Sequence, residues 1–125
     1  MLFKQLRSSS NKNQDVKKNL DAILRGIQEN KILKTFDKYY HKDVVMYEKG
    51  DSTNRVGKVN NRIAEKSFAK NAKIHELKVL KVLIDGDNTA YESEMTFTYS
   101  GTKITKTQWA LQQWKDGLII KEEFY

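Results

Sequence analysis

Apolar residues recur at helical spacing over residues 15–29, where Val16, Leu20, Ile23, Leu24 and Ile27 share a face. Asn13 or Asp15 is placed to cap that helix. Asn30 interrupts the pattern, and Ile32, Leu33, Phe36, Tyr39 and Tyr40 form a second stripe over residues 31–40. The period then changes. The β-branched and aromatic run Asp43-Val-Val-Met-Tyr-Glu48 predicts a short strand ending in the turn Lys49-Gly-Asp-Ser52. Gly57 precedes a third helix over about 58–70, whose predicted stripe is Val59, Ile63, Ala64, Ser67 and Phe68.

From residue 73 onward the chain reads as strand. Residues 73–84 run into Asp85-Gly86-Asp87-Asn88, a hairpin signal. Residues 89–99 alternate, with Thr89, Tyr91, Ser93, Met95, Phe97 and Tyr99 on one face. Ser100-Gly101 turns into a strand over 103–115, and Asp116-Gly117 turns again into 118–125. Helix, helix, strand, helix and an antiparallel meander, with the helices segregated on one face, define an α+β domain. Gly26 is the one glycine inside a predicted helix, where it permits a close approach.

Composition narrows the class. The 125 residues suit one domain over residues 15–125, behind a polar, flexible tail over residues 1–14. With 5 Phe, 6 Tyr and 2 Trp the chain has the means to collapse. The absence of cysteine removes disulfides, thiol nucleophiles and thiolate-bound metal. No apolar run is long enough to span a bilayer. Met1–Gln14 has no apolar core of a signal peptide, so a cytoplasmic location is expected. The net charge of +7 invites an acidic partner. Much of the surplus sits at the N-terminus, however, where Lys4, Arg7, Lys12, Lys17 and Lys18 meet only Asp15. No basic patch interleaved with aromatics follows, which argues against nucleic acid.

Four stretches resemble the nuclear transport factor 2-like superfamily, in its SnoaL-like and ketosteroid-isomerase-like branch. They are the paired helices ending in Phe36-Asp-Lys-Tyr-Tyr-His-Lys-Asp-Val-Val45, the Gly57-led helix, the Thr96-Phe-Thr-Tyr-Ser-Gly101 hairpin and the closing Trp114-Lys-Asp-Gly-Leu-Ile119. The resemblance implies a strongly curved antiparallel sheet, closed by three helices into a cone around an apolar pocket. It also implies pairing of two copies through the outer sheet face. Fold alone does not choose among the activities of such a superfamily.

In the ketosteroid isomerases a general-base carboxylate stands where Glu48 stands here, and the resemblance gives Glu48 that role. Their oxyanion donors are not matched. Ala110 falls where they carry a carboxylic acid, and the first helix offers Ile23 or its neighbours in place of a tyrosine. Gln112 and Trp114 are replacement donors if their strand turns them inward, a facing that a one-residue slip would reverse. Glu122 shares an alternating face with Leu118, Ile120 and Phe124, which points a carboxylate into the interior and makes a two-carboxylate site with Glu48 conceivable. His75 is a candidate accessory acid, whereas His41 and His75 lack metal-site spacing. Tyr39, Tyr40, Met46, Tyr91, Ser93, Met95 and Tyr99 are candidate pocket walls.

The expected function is binding of a small, mostly apolar molecule in the cone by a homodimer, without catalysis, cofactor or metal. The alternative is a cofactor-independent isomerase, cyclase or dehydratase with Glu48 as base.

Overall fold

The computed structural model opens with two helices, α1 (Leu2–Gln28) and α2 (Ile32–Tyr39), followed by β1 (Tyr40–Glu48) and a two-residue β2 (Arg55–Val56). Helix α3 (Lys58–Asn71) leads into β3 (Ala72–Asp85), β4 (Asn88–Tyr99), β5 (Thr102–Lys115) and β6 (Leu118–Phe124). Residues 2–125 are described, with side chains from Asp15 onward. Helix α1 thus begins well before residue 15 and includes backbone of the segment expected to be a tail. The side chains of that segment lie outside the described residues.

The six strands form one open sheet in the order β2-β1-β6-β5-β4-β3. The meander is as expected, but the sheet is mixed, because β1 runs parallel to β6. That pairing joins the start of the chain to its end. No local pattern encodes it. Three one-residue bulges, at His75 and Leu80 in β3 and at Ile120 in β6, bend these strands.

Helices α1 and α2 cover one sheet face, with Val16, Leu20, Ile23 and Phe36 buried against Val44, Met46, Tyr91, Trp114 and Ile119. Gly26 sits where the two helices touch. A Cβ there would collide with the Thr35 side chain, so glycine is what allows this approach. Asn30 then ties the helical hairpin to the sheet edge. Its amide donates to Ile74 O at 3.0 Å and its Oδ1 accepts from Ile74 N at 2.7 Å. Residue 30 adopts φ 61°, a left-handed conformation that asparagine tolerates.

Helix α3 packs with a different face than its apolar pattern predicts. Val59 and Ile63 are 78% and 66% exposed, whereas Asn61 is completely buried. The Asn61 amide donates to Gly57 O at 2.9 Å and Arg55 O at 3.0 Å. Its Oδ1 accepts from Arg55 Nε at 3.2 Å. Asn61 thereby pairs backbone carbonyls that would otherwise be buried unmatched, at about 1–3 kcal/mol each. Of the predicted stripe Ala64 and Phe68 do face the cavity, and Glu65 stands between them.

Candidate functional site

The sheet and helices enclose a cavity of about 260 Å³. Its apolar wall includes Ile27 of α1, Ile32 of α2, Phe68 of α3, Leu77 of β3, and Met95 and Phe97 of β4. Its polar groups come from five elements. Tyr40 and Glu48 stand at the two ends of β1, Arg55 on β2, Glu65 on α3, Tyr91 and Ser93 on β4, and Lys106 and Gln108 on β5.

Charge gathers at the open side. Glu48 is about half exposed and accepts from Lys106 Nζ at 3.0 Å. Arg55 is held by Asn61 and by Asp51, whose Oδ2 lies 3.3 Å from its Nη1. Glu65 differs from both acidic neighbours. Its carboxylate has no hydrogen bond or ion pair among the described residues, and it faces the cavity. Burial pushes its pKa up to about 7, partly opposed by the charge of Arg55 and reinforced by that of Glu48.

Beneath the cavity lies a chain of buried side chains. Trp114 Nε1–H donates to Thr89 Oγ1 at 2.8 Å, and Thr89 donates to Gln112 Oε1 at 2.7 Å. Gln112 Nε2–H donates to Glu122 Oε2 at 2.8 Å, and the Tyr40 hydroxyl donates to Glu122 Oε1 at 2.5 Å. Glu122 is only 1% exposed, and burial pushes its pKa up to about 7 against the lowering effect of these two donors. Burial, with the facing charge of Glu122, raises Tyr40 well above the usual tyrosine value. Tyr40 belongs to both systems: its ring lines the cavity while its hydroxyl holds Glu122.

The candidate residues divide accordingly. Tyr40, Glu48, Tyr91, Ser93 and Met95 line the cavity. Glu48 sits at its wet edge, paired with a lysine, which differs from the desolvated carboxylate that the resemblance implied. Gln112, Trp114 and Glu122 are buried and face inward, with their polar atoms committed to one another below the cavity. Met46 is core, and Tyr39 packs at the core's margin. Tyr99 is 36% exposed at the end of β4 and stacks on Phe68. His75 is a correction. As the extra residue of a bulge it faces away from the cavity, where Nε2 lies 2.7 Å from Thr98 Oγ1. The same bookkeeping corrects β6, where the bulge at Ile120 makes Ile119, not Ile120, the inward partner of Trp114.

Glu65, Arg55, Lys106 and Gln108 were not among the sequence candidates. A signal for Glu65 exists in hindsight: Asn61, Glu65, Phe68, Ala69 and Ala72 recur at helical spacing, one stripe away from Val59 and Ile63.

No protein-family model and no curated protein sequence matches this chain significantly. Solved structures do match it. A candidate SnoaL-like polyketide cyclase from Mesorhizobium loti is 22% identical with a TM-score of 0.72, covering 90% of this chain and 96% of that one. An M. tuberculosis LEH-like epoxide hydrolase is 16% identical with a TM-score of 0.77, covering 90% and 83%. A candidate isomerase from Bacillus subtilis is 13% identical with a TM-score of 0.77, covering 91% and 87%. The chain has the fold of the SnoaL-like and NTF2-like proteins. Among its described residues, no helix is long and apolar enough to cross a membrane.

Proposed function

We propose that this protein binds a small molecule with a mostly apolar body in the cone, its polar end directed to the groups around Glu65. The carrying observation is the cavity of about 260 Å³, with aliphatic and aromatic side chains on one wall and polar groups converging from five elements, as ligand pockets combine them. Filling it tests the reading. Ser93 is buried on the cavity wall, so Ser93→Trp should abolish the fluorescence gain of the neutral dye N-phenyl-1-naphthylamine. Retained far-UV circular dichroism would show that the fold survives. Undiminished dye binding by the folded variant would overturn the assignment.

A second reading, acid–base catalysis without a cofactor, is favoured by Glu65. A carboxyl with a pKa of about 7 in a partly desolvated cavity is tuned for proton transfer at neutral pH. The base would then be Glu65, with Glu48 holding Lys106 at the rim.

A second copy of the chain is the occupant we propose for the outer sheet face. Leu83, Ala90 and Leu111 stand side by side across β3, β4 and β5, with Leu83 56% and Leu111 40% exposed. The opposite-charge pairs Lys78–Glu94 and Lys81–Glu92 lie alongside, a pattern that a two-fold axis matches to itself. Sedimentation equilibrium should report a dimer for the parent chain and a monomer for Leu111→Lys; a monomeric parent would end the proposal.

A further inference from the structure

Several polar groups that line the cavity, the Gln108 amide among them, have no hydrogen-bond partner among the described residues. Besides Glu65, the hydroxyls of Ser93 and Tyr91 face it, buried to 2% and 5% exposure and without a hydrogen-bond partner among the described residues. Native interiors rarely leave buried polar groups unmatched, and a binding site is where such groups are kept. The two cations nearby are already engaged, Arg55 with Asp51 and Asn61, and Lys106 with Glu48. An anionic ligand would have to compete for them. A ligand cation would instead meet a carboxylate with no partner and oxygens able to accept.

The aromatic walls point the same way. Tyr40, Phe68, Tyr91, Phe97 and Phe124 line the cavity, and ring faces attract a cation, more strongly once it is desolvated. The chain's net charge of +7 opposes a cation at long range. That field is screened beyond about 8–10 Å at physiological salt, leaving the local carboxylate to decide.

We propose that the cone takes a primary ammonium group on an apolar body, its charge set against Glu65 and its three N–H donors shared with the hydroxyls of Ser93 and Tyr91. This rests on the binding reading above and names its ligand class. It also carries a pH dependence of definite sign. Glu65 faces Arg55 from β2, Glu48 and Tyr40 from β1, Tyr91 from β4 and Lys106 from β5, with Glu122 of β6 below. Bound ammonium favours the ionised carboxylate, so binding near pH 6.5 releases a proton and affinity rises from pH 6 to pH 8.

The test compares three probes with one body, 4-phenylbutylammonium, 4-phenyl-1-butanol and 4-phenylbutyrate, by titration calorimetry at pH 8. The ammonium is expected to bind at least tenfold more tightly than the alcohol, with the carboxylate weakest. Glu65→Gln should erase the ammonium's advantage while the alcohol's affinity holds, and Glu76→Gln, exposed on β3 outside the cavity, should retain it. If the alcohol or the carboxylate binds as tightly as the ammonium in the parent chain, the charge assignment is overturned and the cone remains a binding site. If none binds while N-phenyl-1-naphthylamine still does, the ammonium proposal alone fails; if the dye fails too, the binding reading falls with it.

Discussion

Glu122→Ala is expected to destabilise the fold by on the order of 4 kcal/mol, read as a fall in the urea midpoint at pH 6. Two donors lose their acceptor at once, the Tyr40 hydroxyl and the Gln112 amide, and both are buried. A void opens where the carboxylate stood. The rest of the chain cannot compensate, because Gln112 Oε1 already accepts from Thr89, and Thr89 Oγ1 already accepts from Trp114. Glu122→Gln should cost less, about 1–3 kcal/mol. Glu122 is itself mostly protonated at pH 6, so the amide adds one further proton, for which no acceptor stands nearby. A loss below 1 kcal/mol for the alanine variant would show that water or rearrangement replaces the carboxylate. The network would then not be what fixes Tyr40 in the cavity wall.

How legible this arrangement is in the sequence depends on what each residue answers to. The strands of the meander follow from alternation and from Asp-Gly and Ser-Gly turns, which are local signals, and the structure has them within a residue or two. The inward aim of Glu122 follows from the same alternation, whereas the mixed pattern of β5 leaves the facing of Gln112 open until the structure shows it buried. Alternation fails where a bulge adds a residue: at His75, which was counted toward the cavity, and at Ile120, which was counted inward although Ile119 is the buried residue. Alternation counts residues, and a bulge breaks the count without a composition signal of its own.

Helix α3 was harder for a different reason. It carries apolar residues on two faces, and the choice between them was made by Asn61 finding three backbone carbonyls on β1, β2 and the turn between β2 and α3. Those acceptors exist only in the folded chain. Glu65 inherits its place from that choice, so the carboxylate with the strongest claim on the cavity was the one the pattern hid. Glu48 was found instead because resemblance supplied it, and the lysine that neutralises it comes from β5, 58 residues along the chain. A site assembled from five elements is visible one element at a time, whereas its electrostatics are not.

Those buried carboxylates should make the fold more stable at mildly acid than at mildly alkaline pH. Burial raises Glu122 from an ordinary 4.5 to about 7, so the folded chain holds a proton that the unfolded chain has released between those values. Stability from this group is therefore fully present below about pH 4.5 and declines as pH rises through 7. The shift corresponds to roughly 3 kcal/mol. Glu65 is raised for the same reason and acts with the same sign, so the two add over one pH window. The opposite tendency, from carboxylates held low by partners, belongs to Glu123 beside Tyr125 and to Asp37 beside Arg62. Those contributions are lost below the ordinary carboxylate range, outside the window. Urea midpoints measured from pH 5 to pH 8 should thus fall steadily and then level off. Glu122→Gln cannot titrate, so its deficit against the parent chain should shrink by about 3 kcal/mol between the two ends of that range. A midpoint that stays flat or rises toward pH 8 would mean that both carboxylates ionise freely, and the desolvated site inferred around them would have to be abandoned.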